Sequence, residues 1–359
     1  MTLTPRKKVW LYRIGMVLAV LFLILTVVNA SWLAPTPQGS PKLIAHRGVA
    51  QVYDQEGVGR DTCTADRIEE PVHPYIENTI PSMRETFHNV GAQMIEIDIA
   101  PTADGQIAVF HDWTLDCRTN GTGDVRDATM EELQALDAGY RYTADGGETF
   151  PLRGNPANRI PTLEEALQMI GRRPIMFNFK SADPAEADLL AEHLNAARRR
   201  VEQAGDAFYG HPDVIARIRE HYPDAWAFSA EDAEACTRDY VAMAWTGFMP
   251  DSCRNGTLIV PLDKQWPIWG WPNRAIARMK SVGGRILVVG PLDVENHPRG
   301  IVLPEQLGEI PDSYNGFVVV EDIWTIGPAL RPSQDRRRAE DRERALDALD
   351  SRRARLGLD

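Results

Sequence analysis

The alternation of apolar and polar segments is the feature that most constrains how this chain can fold. From Lys42 onward, short runs rich in Val, Ile and Phe alternate with longer segments of helical character. This pattern is typical of an α/β fold in which crossover helices connect the strands of a parallel sheet. Strands are predicted over residues 43–46, 94–99, 175–179, 207–210, 226–229, 258–261, 285–289 and 317–320. Helices are predicted over residues 81–89, 130–136, 163–170, 185–200, 212–221 and 232–243.

The number of predicted strands suits a closed TIM-type (β/α)8 barrel, which needs eight. The periodicity alone fits an open, doubly wound sheet equally well. No G-x-G-x-x-G turn follows the first strand, so a dinucleotide-binding fold gains no support from the sequence. In a barrel, functional groups lie at the carboxyl ends of the strands and in the loops that follow them, so motifs at those positions are candidates for a site.

Residues 1–40 are predicted to form a separate membrane segment. Basic side chains come first, at Arg6, Lys7, Lys8 and Arg13. They precede an uncharged, largely apolar stretch over residues 14–34, and about 20 such residues can span a bilayer. The basic flank is expected to stay in the cytoplasm, so the rest of the chain is predicted to lie on the periplasmic or extracellular side of the cell membrane. The alternative is a signal peptide cleaved near residues 28–30, which also exports the domain.

Four cysteines are consistent with an oxidising compartment, where disulfides form and persist. They permit three pairings, and the sequence does not choose among them. We favour Cys63 with Cys117, which would tie a long insertion to a loop beside the candidate site. The second pair is then Cys236 with Cys253, which would link two consecutive strand-helix units. Four unpaired, buried thiols are the alternative.

The charged residues argue against one class of function, and they distinguish the C-terminal segment from the barrel domain. The formal net charge of -12 argues against a general nucleic-acid binder, which needs clustered Lys and Arg. Residues 41–330 are predicted to form the barrel domain. Residues 331–359 mix Arg with Asp and Glu, which favours a solvated helix or a disordered tail. A helix that binds a partner or a membrane surface is the alternative for this segment.

The first predicted strand ends in His46, Arg47 and Gly48. An Arg side chain can bind phosphate oxygens in a bidentate manner, and His can move a proton near neutral pH. The glycine allows close approach of the backbone. The motif therefore suits an anionic phosphate ester, and a purely structural histidine at a strand end is the alternative.

The second predicted strand carries Glu96 and Asp98, which a period of two places on one face. Two carboxylates so close together repel each other, so a cation or protonation must compensate their charge. Oxygen-rich sites of this kind suit magnesium or calcium, and we expect a divalent cation here. An exposed strand face would be the alternative explanation.

A second histidine and a further acidic residue complete the set of candidates. His111 follows a strand-like segment over residues 106–110. Cleavage of a phosphodiester needs a base for the attacking oxygen and an acid for the leaving alkoxide, so His46 and His111 on opposite sides of one phosphorus make chemical sense. Glu77 opens a predicted helix, where it and its neighbours could serve an anion or a metal, or form a plain helix cap.

These motifs occur in the order seen in the glycerophosphodiester phosphodiesterase family, which the chain resembles most clearly over residues 42–181. The motifs are His46-Arg47-Gly48, Glu77-Asn78-Thr79, Glu96-x-Asp98, Asp104-Gly105, His111-Asp112, Thr119-Asn120-Gly121-x-Gly123 and Ile160-Pro161-Thr162-Leu163. The resemblance implies a TIM-type barrel, a divalent metal, and hydrolysis of glycerophosphodiesters to glycerol phosphate and an alcohol. It also implies the roles of the site residues, namely acid/base catalysis by His46 and His111, phosphate binding by Arg47, and metal ligation by Glu96 and Asp98.

One departure from the family pattern concerns the third strand. The acid expected two residues before a lysine is matched by Asn178 ahead of Lys180. We expect Asn178 to be the third metal ligand, although two anionic ligands hold a divalent ion less firmly than three. Lys180 and Glu77 are expected to contact the substrate together with Arg47. Three consequences of this replacement remain open. They are weaker metal affinity, a changed substrate preference, or a non-catalytic barrel that binds a phosphate ligand.

The insertion between Gly48 and Glu77 is a second departure, because it is too long for an ordinary strand-helix connection. We expect it to form a lid that selects the alcohol moiety. Four aromatic residues could line the pocket together with the insertion if they do not pack in the core. They are Trp113, Trp266, Trp269 and Trp271. Phospholipase D-like cleavage of lysophospholipids is the closest enzymatic alternative for a barrel tethered at a membrane.

Overall fold

The computed structural model describes residues 5–59, 62–292 and 299–358. Within these ranges the chain forms a parallel β-barrel that is surrounded by helices and preceded by one long apolar helix. The strands are β1 (Lys42–Ala45), β2 (Met94–Pro101), β3 (Ile107–Val109), β4 (Ile175–Phe179), β5 (Ala207–Tyr209), β6 (Trp226–Phe228), β7 (Thr257–Pro261), β8 (Arg285–Val289) and β9 (Phe317–Val320).

All strands except β3 run parallel, in the spatial order β6, β5, β4, β2, β1, β9, β8, β7. At its centre, Ile44 of β1 lies between Met94 of β2 and Val319 of β9. The two ends of the order meet at Trp226 of β6, whose indole N–H donates a hydrogen bond of 2.9 Å to the Thr257 hydroxyl of β7. The sheet is therefore a near-closed, TIM-like barrel. This arrangement confirms the predicted fold class and excludes the open, doubly wound sheet.

The helices alternate with the strands and pack around the barrel, except for α1, which precedes the barrel and is exposed. The helices are α1 (Pro5–Asn29), α2 (Ile80–His88), α3 (Met130–Gln134), α4 (Leu163–Ile170), α5 (Ala185–Ala196), α6 (Val201–Ala204), α7 (Pro212–His221), α8 (Ala230–Met243), α9 (Asn273–Ser281), α10 (Ile323–Leu330) and α11 (Ala339–Leu356). Capping explains several of their starts. Thr162 forms a capping box with Glu165 at the start of α4, and Thr79 accepts a hydrogen bond from the Ser82 amide at the start of α2.

The helix predictions need three corrections. The helix predicted over residues 185–200 ends at Ala196, and the separate short helix α6 follows it. The helix α9 was not predicted; it starts after Pro272, which has no side chain that can cap a helix. The helix α10 was also not predicted; it contains Gly327 and Pro328, two residues that disfavour a helix interior.

Apolar side chains fill two layers of the structure. Inside the barrel, the strands contribute Ile44, Met94, Met176, Ala207, Trp226, Phe228, Leu287 and Val289. A second layer lies between the strands and the helices, where Phe177 of β4 and Phe208 of β5 are fully buried. Because both faces of the parallel strands are covered, a strand such as β9 reads as a continuous apolar run, whereas Glu96 and Asp98 interrupt β2.

All four cysteines form disulfides, and the pairing is the favoured one. Cys63 is bonded to Cys117, and Cys236 is bonded to Cys253. The first bond joins the insertion after β1 to the loop after β3, and the second joins α8 to the segment before β7. The alternative of four free thiols is therefore wrong.

The charged C-terminal segment forms α11, which packs on the barrel rather than standing free in solvent. Ala345, Leu349 and Arg352 of this helix are buried. The Arg352 guanidinium donates to Glu69 of the insertion and to Asp322, which follows β9. The helix was one of the two predicted states, whereas its ordered docking was not expected from its narrow apolar stripe.

The first helix, α1, meets the length and composition of a membrane span. Within Arg6–Asn29, the most apolar window of 18 residues has a mean hydropathy of 2.5, and none of its residues is buried against the rest of the protein. Its apolar side chains are therefore exposed unless lipid covers them.

Candidate active site

The first candidate residue, His46, directly follows β1 at the carboxyl end of the barrel. Its Nδ1 atom lies 2.6 Å from a carboxylate oxygen of Glu321, which directly follows β9. The Nε2 atom lies 4.0 Å from Glu96. Since β1 and β9 are neighbours in the barrel, their parallel pairing brings the two ends together. The Nδ1 contact fixes the orientation of the ring and directs Nε2 toward the acidic pair.

Arg47 and Asn78 adopt a strained backbone conformation beside this histidine. Their φ angles are +60° and +61°, in the left-handed region that residues other than glycine seldom occupy. The Asn78 amide donates to the Arg47 carbonyl at 2.9 Å, and the Arg47 amide donates to Glu96 at 2.9 Å. At Gly48, where φ is +81°, a Cβ atom would lie 2.4 Å from the Ser82 hydroxyl. Strain of this kind persists where surrounding contacts enforce it, as at functional sites.

Asp98 is the centre of the polar cluster, and it is completely buried. One of its oxygens accepts hydrogen bonds from Asn178 at 2.9 Å and from Lys180 at 3.3 Å. The other accepts from the Asn78 side chain at 2.8 Å and lies 3.4 Å from Nε of Arg47. Asp98 and Asn178 are direct neighbours because β2 and β4 pair in register. The structure thus places three of the predicted residues, Arg47, Asn178 and Lys180, around one carboxylate.

His111, the second candidate histidine, is oriented by its neighbour in the sequence. Its Nδ1 atom lies 2.5 Å from Asp112, whose carboxylate also accepts from Nε of Arg118 at 2.8 Å. His111 follows β3. Because β3 pairs antiparallel with the last residues of β2, the chain after β3 lies next to the site residues of β2. Both imidazoles therefore have Nδ1 against a carboxylate.

Arg118 holds the surrounding segments together from a buried position. Its guanidinium donates to the Tyr142 hydroxyl at 2.8 Å and to the Thr64 hydroxyl at 2.9 Å. It also donates to Glu77, whose second oxygen is buried and has no hydrogen-bond partner among the described residues. Glu77 thus lies beside the site, where its carboxylate accepts from Arg118.

The charges of the cluster shift the pKa values of the two histidines in opposite directions. Burial opposes protonation of His46, but the carboxylates of Glu321 and Glu96 outweigh it and raise the pKa of His46. Burial and the Arg47 guanidinium lower the pKa of His111 to about 3. The two imidazoles are therefore biased toward different protonation states.

The carboxylates respond to the same surroundings. Burial and the neighbouring Asp98 charge raise the pKa of Glu96. Burial also disfavours the charged form of Asp98, but Lys180, His111 and Arg47 more than compensate and hold its pKa well below the usual range. The pKa of Glu321 falls to about 2 because the attraction of His46 outweighs the cost of burial.

The predicted ligands Glu96, Asp98 and Asn178 supply only oxygen donors suitable for a divalent cation, which matches the preference of magnesium and calcium. Oε1 of Glu96 is buried without a hydrogen-bond partner in the described part of the chain, so one ligand oxygen is available. Among residues 5–59, 62–292 and 299–358, no group of three His, Cys, Asp or Glu residues is arranged to hold a metal. The third donor would have to be the Asn178 amide oxygen. Asn178 donates its N–H to Asp98 here, so the amide would have to turn over to present that oxygen to a cation.

A cleft of about 1010 Å³ opens at this end of the barrel. Arg47, His111, Asn178 and Lys180 lie at its base, and its walls include Trp113, Tyr209, Glu231 and the Cys63–Cys117 disulfide. The insertion therefore borders the site, as expected of a lid. Of the four tryptophans proposed for the pocket, Trp113 lines the cleft, whereas Trp266 and Trp269 are exposed elsewhere and Trp271 packs near Tyr314.

Sequence reasoning missed three residues of the site. Glu321 could have been found, because an acidic residue directly after a barrel strand is a candidate site residue. Asp112 was part of a recognised motif, but its orienting contact with His111 was not predicted. Arg118 gave no signal, because its partners come from segments far apart in the sequence.

Comparisons with known proteins agree with the fold and the motifs. The model of the glycerophosphoryl diester phosphodiesterase family matches residues 46–238, more than half of the chain. A glycerophosphodiester phosphodiesterase of Caldanaerobacter subterraneus subsp. tengcongensis is 40% identical over 104 residues, which are 29% of this chain and 39% of that protein. Glycerophosphodiester phosphodiesterase 1 of Rattus norvegicus is 32% identical over 152 residues, which are 41% of this chain and 43% of that protein. The chain thus spans about two fifths of the length of these relatives.

Solved structures show the same fold at low sequence identity. A phosphodiesterase of Oleispira antarctica in complex with the product sn-glycerol-3-phosphate has a TM-score of 0.51 and 18% identity, over 81% of this chain and 97% of that one. A glycerophosphoryl diester phosphodiesterase domain from Mycobacterium tuberculosis has a TM-score of 0.54 and 16% identity, over 79% and 96% of the two chains. With the matched family model and the barrel, these findings place the chain in the glycerophosphoryl diester phosphodiesterase family.

Proposed function

We propose that this protein hydrolyses glycerophosphodiesters to glycerol phosphate and an alcohol. The observation that carries the proposal is the charged cluster on β2. Arg47 and Lys180 contact the buried Asp98, and Nε2 of His46 lies 4.0 Å from Glu96. His46 and His111 are each oriented by a carboxylate, and both help to lower the pKa of Asp98. Phosphodiester cleavage requires a base, an acid and positive charge for the phosphate oxygens, and this cluster contains all three. Family membership supports the same reaction.

The two histidines divide the proton transfers between them. His111, whose pKa is lowered to about 3, is neutral near pH 7 and takes the proton of the oxygen that attacks phosphorus. His46, whose pKa is raised, carries the proton that the leaving alkoxide needs as its bond to phosphorus breaks. Pairs of groups with oppositely shifted pKa values are typical of such acid/base assignments.

Arg47 and Lys180 supply the positive charge for the phosphate, and Glu77 completes the substrate side of the site. Both cations already balance Asp98 in this structure. A phosphate that enters the cleft would share these donors, since guanidinium and ammonium groups each carry several N–H bonds. Glu77 has one buried oxygen without a partner among the described residues, so it can accept from a hydroxyl of the glycerol moiety.

Glu96, Asp98 and Asn178 would hold a divalent cation at this site, with magnesium and calcium as the candidates. When bound, such an ion polarises a phosphoryl oxygen and stabilises the charge that develops on it. The chain's own contribution is to hold Glu96 and Asp98 side by side on β2 and to place Asn178 next to them on β4.

We propose that α1 is a retained, single-pass anchor rather than a cleaved signal. Arg278, which is buried, donates to the Val28 carbonyl and to the Asn29 side chain at the end of α1. Cleavage near residues 28–30 would remove these partners of a buried charge, which is costly. The barrel would then lie on the periplasmic or extracellular side of the membrane, where both disulfides persist.

Cleavage of lysophospholipids is the second candidate, and the size of the cleft favours it. The volume of about 1010 Å³ is at the upper end of the usual range for ligand pockets and exceeds what a small headgroup needs. Apolar side chains such as Val58, Trp113 and Phe179 line part of it. A lipid chain could therefore occupy the outer cleft while the phosphate lies at Arg47.

Product analysis tests the proposal and separates the two substrates. The full chain in detergent is incubated with glycerophosphocholine or lysophosphatidylcholine in the presence of magnesium or calcium. Release of glycerol phosphate from the first substrate supports the proposed reaction, and release of lysophosphatidic acid from the second supports the alternative. A protein that binds glycerol phosphate but releases neither product is the non-catalytic barrel, and the proposal is then wrong.

A further inference from the structure

The end of the membrane helix α1 is fixed to the barrel by several polar contacts. The Asn29 side chain donates to the Trp245 carbonyl at 2.8 Å, and Arg278 of α9 donates to Asn29 Oδ1 at 3.1 Å. Just after the helix, the Ser31 hydroxyl accepts from the Asn273 amide at 3.0 Å. The helix therefore meets the barrel at a defined place, beside α9 and the segment after α8.

Exposed apolar side chains surround this junction. We call them the aromatic patch, which consists of Trp32, Leu33, Met243, Trp245, Phe248 and Trp269. Phe248 is 75% exposed and Trp32 is 67% exposed. Single exposed apolar residues are ordinary on protein surfaces, whereas a cluster of large ones marks an interaction surface.

Two tryptophans of the aromatic patch are held in place by their polar atoms. The Trp245 indole N–H donates to the Ala242 carbonyl at 2.9 Å, and the Trp269 indole N–H donates to the Val241 carbonyl at 2.8 Å. The Trp269 carbonyl also accepts from Arg278, which in turn binds Asn29. The two rings are thus connected to the last residue of α1 by a continuous set of hydrogen bonds.

The position of the patch identifies its partner. A bilayer that contains α1 must end near Asn29, and the Trp245 carbonyl is bonded to that residue. Tryptophan is enriched at this depth of a membrane protein, where its ring meets lipid and its N–H remains satisfied. None of the patch residues lines the cleft, so substrate binding does not explain their exposure.

We propose that the aromatic patch lies in the lipid–water interface of the bilayer that α1 crosses. The barrel is then held against the membrane in one orientation rather than tethered by a flexible linker. This inference rests on the proposed anchor and is independent of the proposed reaction. It assigns a lipid surface, not a protein, to the face formed by α9 and the end of α8.

Quenching of tryptophan fluorescence tests the proposal with the full chain in vesicles of brominated phosphatidylcholine. Trp245→Phe and Trp269→Phe each remove one patch indole and keep an aromatic ring. Trp10→Phe removes an exposed indole within α1 and reports insertion of the helix. Trp324→Phe removes a buried indole that lies outside both the patch and the cleft, and is the matched negative control. The readout is the emission that bromine quenches relative to vesicles without bromine.

The proposal predicts that W245F and W269F each lose part of the quenched emission, whereas W324F does not. Unchanged quenched emission in both patch variants would overturn it, and W10F then shows whether α1 itself is inserted. If the patch instead binds a second copy of this chain, quenching is unchanged in both variants and Phe248→Ser abolishes a crosslinked dimer, which also overturns the lipid assignment. Turnover of a glycerophosphodiester, measured in parallel, separates this result from a failure of the proposed reaction.

Discussion

The Nδ1 atom of His46 lies 2.6 Å from a carboxylate oxygen of Glu321, although 275 positions separate the two residues in the sequence. The other carboxylate oxygen of Glu321 accepts from the Gly300 amide at 2.9 Å, so the carboxylate is itself held in place. Glu321 is therefore a positioning residue, which orients His46 and stabilises its protonated form.

Glu321→Gln keeps the shape of the side chain and removes its charge. We expect kcat to fall by about tenfold to a hundredfold, as is typical when the partner that orients a functional histidine is changed. KM should change little, and the activity should decline at a lower pH, because the pKa of His46 is no longer raised by this carboxylate. Glu305→Gln, at the exposed ion pair with Arg353, is the matched control. An unaltered pH profile would contradict the positioning role.

Asn178→Asp restores a third carboxylate beside Glu96 and Asp98. Without metal, the added charge should lower the melting temperature, because three carboxylates then repel each other. With magnesium or calcium, the affinity should rise by about tenfold or more, because ligand charge governs affinity for hard cations. Calorimetric titration and melting curves measure both effects without reference to activity. Asn155→Asp, at a turn outside the site, should change neither, and an unchanged affinity in the site variant would argue against ligation by residue 178.

The two disulfides allow a matched comparison. Removing either pair by double substitution to Ser should lower the free energy of unfolding by about 2 to 4 kcal/mol. Loss of Cys63–Cys117 should also reduce kcat, because Thr64 beside it contacts Arg118, which supports Asp112 and His111. Loss of Cys236–Cys253 should leave kcat unchanged, since that bond lies outside the cleft. Equal activities of the two variants would contradict a supporting role of the insertion.

His73 in the insertion should make the stability depend on pH. Its Nδ1 atom accepts from the Tyr75 amide at 3.3 Å, and burial lowers its pKa to about 4. Because the unfolded chain binds this proton below about pH 6.5, the stabilisation is complete above that pH and is lost as the pH falls toward 4.

The expected loss is on the order of 3 kcal/mol between these limits. Chemical unfolding at several pH values measures it, and His73→Asn should reduce the slope because its amide oxygen can accept without titrating. His88→Asn, at an exposed position, should leave the slope unchanged. If both variants behave like the parent chain, His73 does not govern the acid sensitivity.

The features that could be predicted from the sequence are those that depend on residues close together along the chain. The alternation of segments was sufficient to predict the strands, and three of them, β4, β8 and β9, have the predicted bounds. The choice of a barrel over an open sheet depends instead on how β6 meets β7, which is a contact between distant segments. Local periodicity carries no information about such closure, so the family resemblance was needed for it.

The candidate site shows the same division. His46 and Glu96 stand in short motifs at or next to strands, where sequence reasoning can find them. Arg118 becomes important only because the insertion, Glu77 before α2 and the loop after β3 converge on it, and no local pattern indicates that convergence. The docking of α11 through the buried Arg352 was missed for the same reason, since its partners lie before α2 and after β9.

The proposed reaction depends on His46 as the acid and His111 as the base. The measurement that tests these roles is kcat/KM for a glycerophosphodiester with the full chain carrying His46→Ala or His111→Ala, beside His221→Ala on the surface of α7 as the matched control. We expect losses of about a hundredfold to ten-thousandfold for each site variant and activity close to the parent chain for the control. Parent-level activity in both site variants would contradict these roles.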